Sequence, residues 1–410
     1  MLRQYLDLPR AVHILCVGTF INRAGTFLVP FLSFYLTERL GLGEAFATQT
    51  IGVFGIGSMA AALVGGHLAD RIGRRVVMVC SLFGGAAILI IFSRLTSPTA
   101  IVATIFTYAL VAETYRPAAS AMIADLVEPH RRSLAFGLMY VSINLGFAVS
   151  PVIGGTLAAY SFQFLFWGDA LTCSLYGLLI FLAIRETLPA RVRSTAGSVP
   201  NATTEPLDDA SAIEAAKHIL RDGPFQVFCL ATLLAGMVFM QSFGALPLYL
   251  HQLGFTVQDY GRIIAVNGLL ICCFQIPLTS LLNRFRRERV IVVGALVIGA
   301  GFGLTALART GWQFAATVVV WTLGEMMHAP FMHAVVSDLA PIRLRARYMG
   351  VLSVCFAGAM TVGVPIGGWV LAHFNPRVVW LICLVTGVVA ALLYWSIHRR
   401  ICAGYGNRVG

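Results

Sequence analysis

The sequence predicts an all-α integral membrane protein with twelve transmembrane helices in two pseudo-symmetric six-helix halves. Of its 410 residues, 58% are hydrophobic and only 11% are charged, whereas an average soluble domain has about 25% charged residues. Most apolar stretches exceed about 18 residues, the length that suggests a membrane-spanning helix. The two halves also repeat the same Gly, Pro, Asp and Arg positions at a constant offset. These observations together predict the fold class.

The predicted spans follow one another through short connections. They lie near residues 11–37, 47–69, 76–94, 99–124, 135–158, 163–184, 225–250, 259–282, 289–309, 313–338, 348–371 and 377–397. The longer polar stretch over 185–224 is rich in Ser, Thr, Pro and Gly, which is typical of a linker. We therefore expect one half over residues 1–184, a cytoplasmic linker over 185–224, and a second half over 225–410.

The basic residues predict how the chain is oriented. The formal net charge is +11, but the basic residues are dispersed over short loops, so we expect no nucleic-acid partner. Most of the 29 Lys and Arg residues lie in loops on the side of the two termini. The loops on the other side contain Arg39, Arg94, Arg309 and Arg377. The positive-inside rule then places both termini in the cytoplasm. The Arg-rich, Lys-poor composition suggests a GC-rich bacterial genome, so we expect a location in the bacterial inner membrane.

An internal repeat relates the two halves. Adding 213 to a position in the first half gives its partner in the second half. The matched pairs include Gly41 and Gly254, Pro117 and Pro330, Asp125 and Asp338, Arg132 and Arg345, and Gly137 and Gly350. Two repeated six-span halves suggest a transporter whose site lies between them near mid-membrane.

The loop after the second span, GGHLADRIGRRVVM, resembles the signature loop of the major facilitator superfamily (MFS). A glycine at Gly66 lets two helices approach closely, and one at Gly73 permits a tight turn. The resemblance implies that Asp70 pairs near the start of span 11, and that Arg74 links Asp70 to Asp125 in a lock that holds the outward-open state. The simpler alternative is a positive-inside anchor. The full gating set is Gly66, Asp70, Arg71, Gly73, Arg74, Arg75, Asp125 and Arg132.

A second resemblance lies in span 5, where GFAVSPVIGG is similar to a motif typical of MFS antiporters. The matching positions are Gly146, Pro151, Gly154 and Gly155, and Ser150 replaces the middle glycine. Proline and small residues make a helix that can kink and pack closely. The resemblance favours antiport, and the alternatives are ordinary small-residue packing with uniport or symport.

Charged residues interrupt the apolar stretch around VAETYRP in span 4. Glu113 lies about 18 Å from the cytoplasmic end of the span by helix rise, and Asn22 and Arg23 in span 1 have a similar depth. Because charges at a helix centre cost at least about 2.5–3.5 kcal/mol each, these residues should face water or each other. We interpret Glu113 as a protonatable group controlled by Arg116 and Arg23, with a fixed structural ion pair as the alternative. Asp169 is a second proton site or a polar contact.

Further polar residues inside the spans are candidates for lining a substrate cavity. They are Asn22, Tyr35, Asn144, Gln241, Asn267, Glu325 and His328. Each could instead form a hydrogen bond between helices. The spacing of His and Glu in span 10 does not place three ligands on one helix face, so we expect no metal site. We also expect no cofactor.

The sequence as a whole predicts a secondary active transporter rather than an enzyme. The favoured hypothesis is a proton-coupled antiporter that exports a small amphipathic or lipophilic compound by alternating access. The chain has no P-loop motif for a nucleotide. The alternative is a proton-linked transporter of an anionic metabolite, peptide or metal chelate, and a receptor or lipid flippase is a more distant possibility. The expected partners are the substrate, protons and the lipid bilayer, and we expect a monomer.

Overall fold

The computed structural model describes residues 7–128, 131–188, 217–340 and 344–406, without the side chains of residues 133, 337, 338, 345, 346 and 398 onward. The predicted linker over 185–224 therefore lies mostly outside the described residues. The side chains of Asp338 and Arg345 in the predicted repeat also lie outside them. The described part of the chain consists of helices joined by turns.

The first eight helices cover the predicted first half. They are α1 (Arg10–Ala24), α2 (Leu28–Phe34), α3 (Glu44–Ile72), α4 (Arg74–Phe92), α5 (Pro98–Ala112), α6 (Tyr115–Leu126), α7 (Arg132–Tyr160) and α8 (Phe162–Ala183). A π-helical turn over Tyr35–Arg39 extends α2.

The remaining helices follow the linker. They are α9 (Gly223–Met240), α10 (Ala245–Gln252), α11 (Val257–Leu282), α12 (Arg287–Leu304), α13 (Gly311–Leu339), α14 (Arg345–Gly358), α15 (Val364–His373) and α16 (Arg377–Gly406). A π-helical turn over Ala359–Gly363 joins α14 to α15.

Each of the twelve predicted spans coincides with one helix or a pair of helices in the described part of the chain. By length and composition, nine helical segments among the described residues are apolar enough to cross a membrane. The other three predicted spans correspond to α5 with α6, to α12 and to α13. The chain is therefore an all-α, multi-pass membrane protein.

The prediction of one continuous helix over 99–124 is wrong. The chain breaks at Glu113 and Thr114, between α5 and α6. Pro117 has no N–H to donate to the carbonyl of Glu113, four residues earlier. The Ser81 hydroxyl of α4 stabilises the break because it lies 2.6 Å from the Val111 carbonyl and accepts from the Tyr115 N–H at 3.1 Å.

The chain forms two compact units. The first comprises Met1–Ser198 with Leu246–Cys272, and the second comprises Val199–Ala245 with Cys273–Gly410. In the first unit, a core that includes Val12, Met78, Met122 and Tyr176 packs α1, α4, α6 and α8 together. In the second unit, Phe225, Ile291, Met332 and Tyr394 belong to a core that contains parts of α9, α12, α13 and α16.

The predicted repeat extends to backbone conformation and side-chain contacts. Gly41 and Gly254 both have a positive φ, 66° and 85°. Thr19 lies 3.2 Å from the Tyr176 hydroxyl in the first unit. Its repeat partner Thr232 lies 2.8 Å from the Tyr394 hydroxyl in the second unit. The two halves thus use the same type of hydrogen bond between their first and sixth spans.

Candidate functional site

A small polar cavity of about 20 Å³ lies inside the first unit. Helices α1, α4, α5, α6 and α8 all contribute to it. Its lining consists of Asn22, Arg23, Thr26, Ser81, Leu82, Tyr108, Ala112, Glu113, Tyr115, Asp169 and Cys173. The volume is close to what one water molecule requires. The structure thus brings Asn22, Arg23 and Glu113 together, as expected from their similar depth in the spans. Asp169 joins them in the same cavity.

A chain of hydrogen bonds crosses this cavity. The buried guanidinium of Arg23 donates to the Tyr115 hydroxyl at 2.6 Å, and this hydroxyl donates to Asn22 Oδ1 at 3.0 Å. The Asn22 amide donates to Cys173 Sγ at 3.2 Å. The Cys173 thiol lies 3.6 Å from Asp169 Oδ1. A polar path therefore connects Arg23 to Asp169 through three helices.

Asp169 is buried, with 1% of its surface exposed. Its Oδ2 accepts hydrogen bonds from the backbone N–H groups of Phe27 and Leu28 at 3.2 and 3.3 Å. These two N–H groups begin α2, immediately after the chain leaves α1 at Gly25. Asp169 forms no ion pair within 4.0 Å among the described residues. The carboxylate thus caps the α1–α2 joint without a direct cationic partner.

Glu113 also lines the cavity, at the break between α5 and α6. Its Oε2 forms an ion pair of 2.8 Å with Arg116 Nη1, and the two side chains are 17% and 59% exposed. Arg116 therefore points towards a more open environment, and it does not line the cavity. The expected contact between Glu113 and Arg116 is present, while Arg23 bonds to Tyr115 instead.

Helix α7 packs tightly against the α1–α2 joint through its small residues. A side-chain Cβ added at Gly146 would lie within 3 Å of the Arg23 side chain and of the Ala24 backbone nitrogen. A Cβ added at Gly154 would collide with the Phe31 ring. Gly155 faces α11, where the backbone of Val257 passes close by. Ser150, the departure from the motif, donates to the Thr26 carbonyl at 3.0 Å. The joint is therefore held by α7 as well as by Asp169.

The signature loop forms a compact polar cluster. Arg74 pairs with Asp70 at 3.0 Å and with Asp125 at 3.0 Å, which is the link that the resemblance implied. The Asp70 side chain is 69% exposed. Its pairing near span 11 and the role of the cluster in a conformational lock remain predictions.

The remaining residues of the gating set have local roles. Gly73 has a φ of 112°, which requires glycine in the turn. Gly65 packs closely against Thr114, whereas a Cβ at Gly66 would meet no described residue within 4 Å, so a close helix approach at Gly66 stays a prediction. Arg75 lies 5.1 Å from the Phe181 ring, and Arg132 donates to the Ala124 carbonyl at 3.1 Å. Arg71 is exposed.

Glu186 belongs to the same cluster, although no sequence motif marks it as a candidate. Its carboxylate accepts from the backbone N–H groups of Arg74 and Arg75 at 2.9 and 3.1 Å and thereby caps α4. Thr187 donates to Asp125 at 3.1 Å. The start of α4, which Glu186 caps, lies more than a hundred residues earlier in the chain. The RETLP segment after span 6 therefore contains no local pattern that would predict this capping role.

The other predicted cavity residues lie away from this cavity. Tyr35 packs among Phe92, Phe162 and Phe166. Asn144 donates to the Tyr140 carbonyl within its own helix at 2.8 Å.

In the second unit, Gln241 donates to the Gly363 carbonyl at 2.7 Å, at the joint between α14 and α15. His328 is buried and lies 3.0 Å from the Tyr394 hydroxyl. Glu325 in α13 of the same unit is half-buried, and so is Asn267 in α11, which belongs to the first unit. A substrate-binding role for these residues stays a prediction.

Cys173 and Tyr115 are cavity residues that were not selected from the sequence. The sulfur of Cys173 contacts both Asn22 and Asp169. Its position four residues after Asp169 was an available signal, since such residues share one helix face. Tyr115 corresponds to His328 at the offset of 213, and both contact the Tyr of the sixth span in their half.

The helices and the enclosed polar site define a multi-pass membrane transport protein. A family model described as "Major Facilitator Superfamily" matches residues 15–274 and 228–400. The chain therefore belongs to the Major Facilitator Superfamily. It is a secondary transporter, not an enzyme.

Relatives and solved structures agree with this assignment. The chain is 28% identical to a Na(+), Li(+), K(+)/H(+) antiporter of Planococcus maritimus, over 97% of this chain and 99% of the relative. It is 23% identical to the multidrug resistance protein MdtH of Edwardsiella ictaluri, over 97% and 96%. A POT family transporter solved with a thioalcohol-conjugated peptide has a TM-score of 0.79 at 17% identity, over 97% and 99%. That last likeness shows the shared fold.

Proposed function

We propose that this chain is a proton-coupled antiporter of a bacterial inner membrane that exports a small amphipathic or lipophilic compound. The observation that carries the proposal is the cavity that joins Glu113 to the buried Asp169. Two carboxylates that line one polar cavity, one near an open environment and one buried, form an arrangement suited to proton uptake and release. The antiporter-like motif in α7 and the name of the relative MdtH support the same function.

The carboxylates have different roles in this proposal. Glu113 is the more accessible carboxylate of the cavity, and its pairing with Arg116 competes with protonation. Asp169 is the carboxylate that is coupled to conformation, because a buried carboxylate without a cationic partner is costly. When Asp169 takes up a proton, the Phe27 and Leu28 N–H groups lose an anionic acceptor. The hold on the α1–α2 joint then weakens, and span 1 can change its bend.

Arg23 supplies the site with positive charge. Its guanidinium lies between the rings of Tyr115 and Phe147, at 5.7 and 5.5 Å. Its Nε is buried and has no hydrogen-bond partner among the described residues. This donor is available to a water molecule or a substrate group when the cavity opens.

Monovalent-cation/proton antiport is a second candidate function. It is favoured by the relative from Planococcus maritimus, which matches this chain over nearly its whole length. An anionic metabolite or peptide is a third candidate, since the exposed Arg116 suits a carboxylate. The three candidates differ in the chemical class of the substrate.

Everted membrane vesicles test the proposal. After respiration acidifies the vesicles, each compound is added and the proton gradient is followed with a pH-sensitive dye. We expect lipophilic cations or dyes to dissipate the gradient in vesicles that contain the wild type, and not in vesicles with the Asp169→Asn variant. Dissipation by Na⁺, Li⁺ or K⁺ alone would favour the second candidate. No response to any compound would contradict proton-coupled antiport.

A further inference from the structure

A second cavity, of about 330 Å³, lies in the first unit on the side that the positive-inside rule assigns to the outside. The turn after α2, the α4–α5 loop and the start of α8 surround it. Tyr35, Arg39, Ser93, Arg94, Ser161 and Gln163 are among its lining residues. The volume falls within the range of small-molecule sites, about 300–1,000 Å³. This cavity shares no lining residue with the polar cavity around Asp169.

The cavity concentrates positive charge without a counter-ion. Of the few basic residues in the outer loops, Arg39 and Arg94 both line it, and no Asp or Glu is among the described lining residues. Neither guanidinium forms an ion pair or a side-chain hydrogen bond within the described part of the chain. The nearest carboxylate in sequence, Glu38, pairs instead with His251 at 2.9 Å. Both arginine side chains are exposed, and an anion in the cavity would meet two cationic groups without a competing carboxylate among the described lining residues.

Two neutral groups complete an anion-binding geometry. Tyr35 lines the cavity, is 5% exposed and has its ring fixed by three Phe rings. Its hydroxyl forms no hydrogen bond with any other described residue. The first residues of α8, a helix of 22 residues, also line the cavity. The N-terminus of a helix presents a partial positive charge to an anion; here the Gln163 N–H already donates to the Ser161 hydroxyl at 3.3 Å.

We propose that this cavity, formed by Arg39, Arg94, Tyr35 and the start of α8, binds a phosphate-type anion. Arginine forks match the oxygen geometry of phosphate and can bind it with two hydrogen bonds. The phosphate can come from a phospholipid headgroup of the adjoining leaflet or from a free phosphate in solution. An anion there would neutralise the charge at the outer end of span 1 and stabilise the first unit.

Thermal unfolding of the full-length protein in detergent tests this site. The probes are dihexanoyl phosphatidylglycerol, inorganic phosphate, and a dihexanoyl glycerol that has no phosphate. We expect a phosphate-bearing probe to raise Tm in the wild type, and the Arg39→Gln/Arg94→Gln variant to bind it about tenfold or more weakly. The matched Arg309→Gln/Arg377→Gln variant, which removes two other outer arginines, should keep the wild-type affinity.

The probes also separate the two sources. A shift caused by phosphatidylglycerol and not by phosphate supports a lipid headgroup, and a shift caused by both supports a free phosphate. Equal affinity in wild type and Arg39→Gln/Arg94→Gln, or no shift by either phosphate probe in the wild type, overturns the proposal. If the double variant does not fold, two single variants replace it in the test. Tyr35→Phe retains the ring packing and removes the hydroxyl, and Arg94→Lys retains the charge and removes the guanidinium fork. Each should then weaken binding measurably, and wild-type affinity in both overturns the proposal.

Discussion

The carboxylate of Asp169 in α8 accepts a hydrogen bond of 3.2 Å from the backbone N–H of Phe27, at the joint between α1 and α2. This contact connects a buried acid in span 6 to the point where span 1 changes direction. Ser150 holds the same joint from α7 through the Thr26 carbonyl. A change in the charge of Asp169 therefore acts directly on a joint that three spans share.

Replacing Asp169 by Asn should abolish proton coupling and leave the fold intact. The amide oxygen can still accept from Phe27 and Leu28, but the side chain no longer binds a proton. We expect gradient-driven transport to fall to the background of empty vesicles, while facilitated equilibration of substrate persists. The Asp7→Asn variant, which neutralises an exposed acid outside the cavity, is the control and should behave as the wild type.

Replacing Asp169 by Ala should also destabilise the protein. This change leaves the Phe27 and Leu28 N–H groups without their acceptor, and an unsatisfied buried polar group costs about 1–3 kcal/mol. We expect a lower Tm for Asp169→Ala than for Asp169→Asn in scanning fluorimetry. Equal Tm values for the two variants would show that the capping contact does not stabilise the joint.

Substitutions of Glu113 and Arg116 should have different effects on transport. Glu113→Gln removes a proton-binding group, so we expect loss of gradient-driven transport. Arg116→Gln removes its ion-pair partner and should retain proton coupling, with a shifted pH profile. The double variant distinguishes a structural pair from a functional acid. If Glu113→Gln/Arg116→Gln regains the activity that Glu113→Gln lost, the ion pair is structural and Glu113 carries no proton.

Ser150 should contribute to stability at the α1–α2 joint. Ser150→Ala removes one hydrogen bond to the Thr26 carbonyl, which we expect to cost about 0.5–1.5 kcal/mol. The measurement is the shift in Tm relative to the wild type. Thr156→Val is the control, because the Thr156 hydroxyl lies in the same helix and, among the described residues, donates to the Val152 carbonyl of that helix. An unchanged Tm in Ser150→Ala would contradict the role of Ser150.

The contact between His251 and Glu38 should stabilise the first unit. It joins α10 to the turn after α2 at 2.9 Å, and His251 also contacts the Phe34 ring. We expect His251→Ala to lower Tm relative to the wild type, because the variant loses both contacts. The same Tm in His251→Ala and the wild type would contradict a stabilising role for this contact.

Sequence patterns predicted the span positions because the length of each hydrophobic stretch is a local property of the sequence. The repeat between the two halves supports the same positions independently. A proline alone does not predict the break at Glu113. Pro117 follows this break, whereas its repeat partner Pro330 lies inside the continuous helix α13. The environment decides the outcome, since Ser81 stabilises the broken backbone in span 4. Partners distant in sequence, such as Cys173 for Asn22 and Glu186 for Arg74, could not be inferred from spacing.

The most direct test of the central claim is a count of protons released when substrate binds. Purified wild-type protein in weakly buffered detergent solution is mixed with a compound that dissipates the gradient in vesicles, and the pH change is recorded. If Asp169 is the coupling acid, the wild type should release protons and Asp169→Asn should release none, with Asp7→Asn matching the wild type. Equal proton release by wild type and Asp169→Asn would contradict the claim that Asp169 couples protonation to transport.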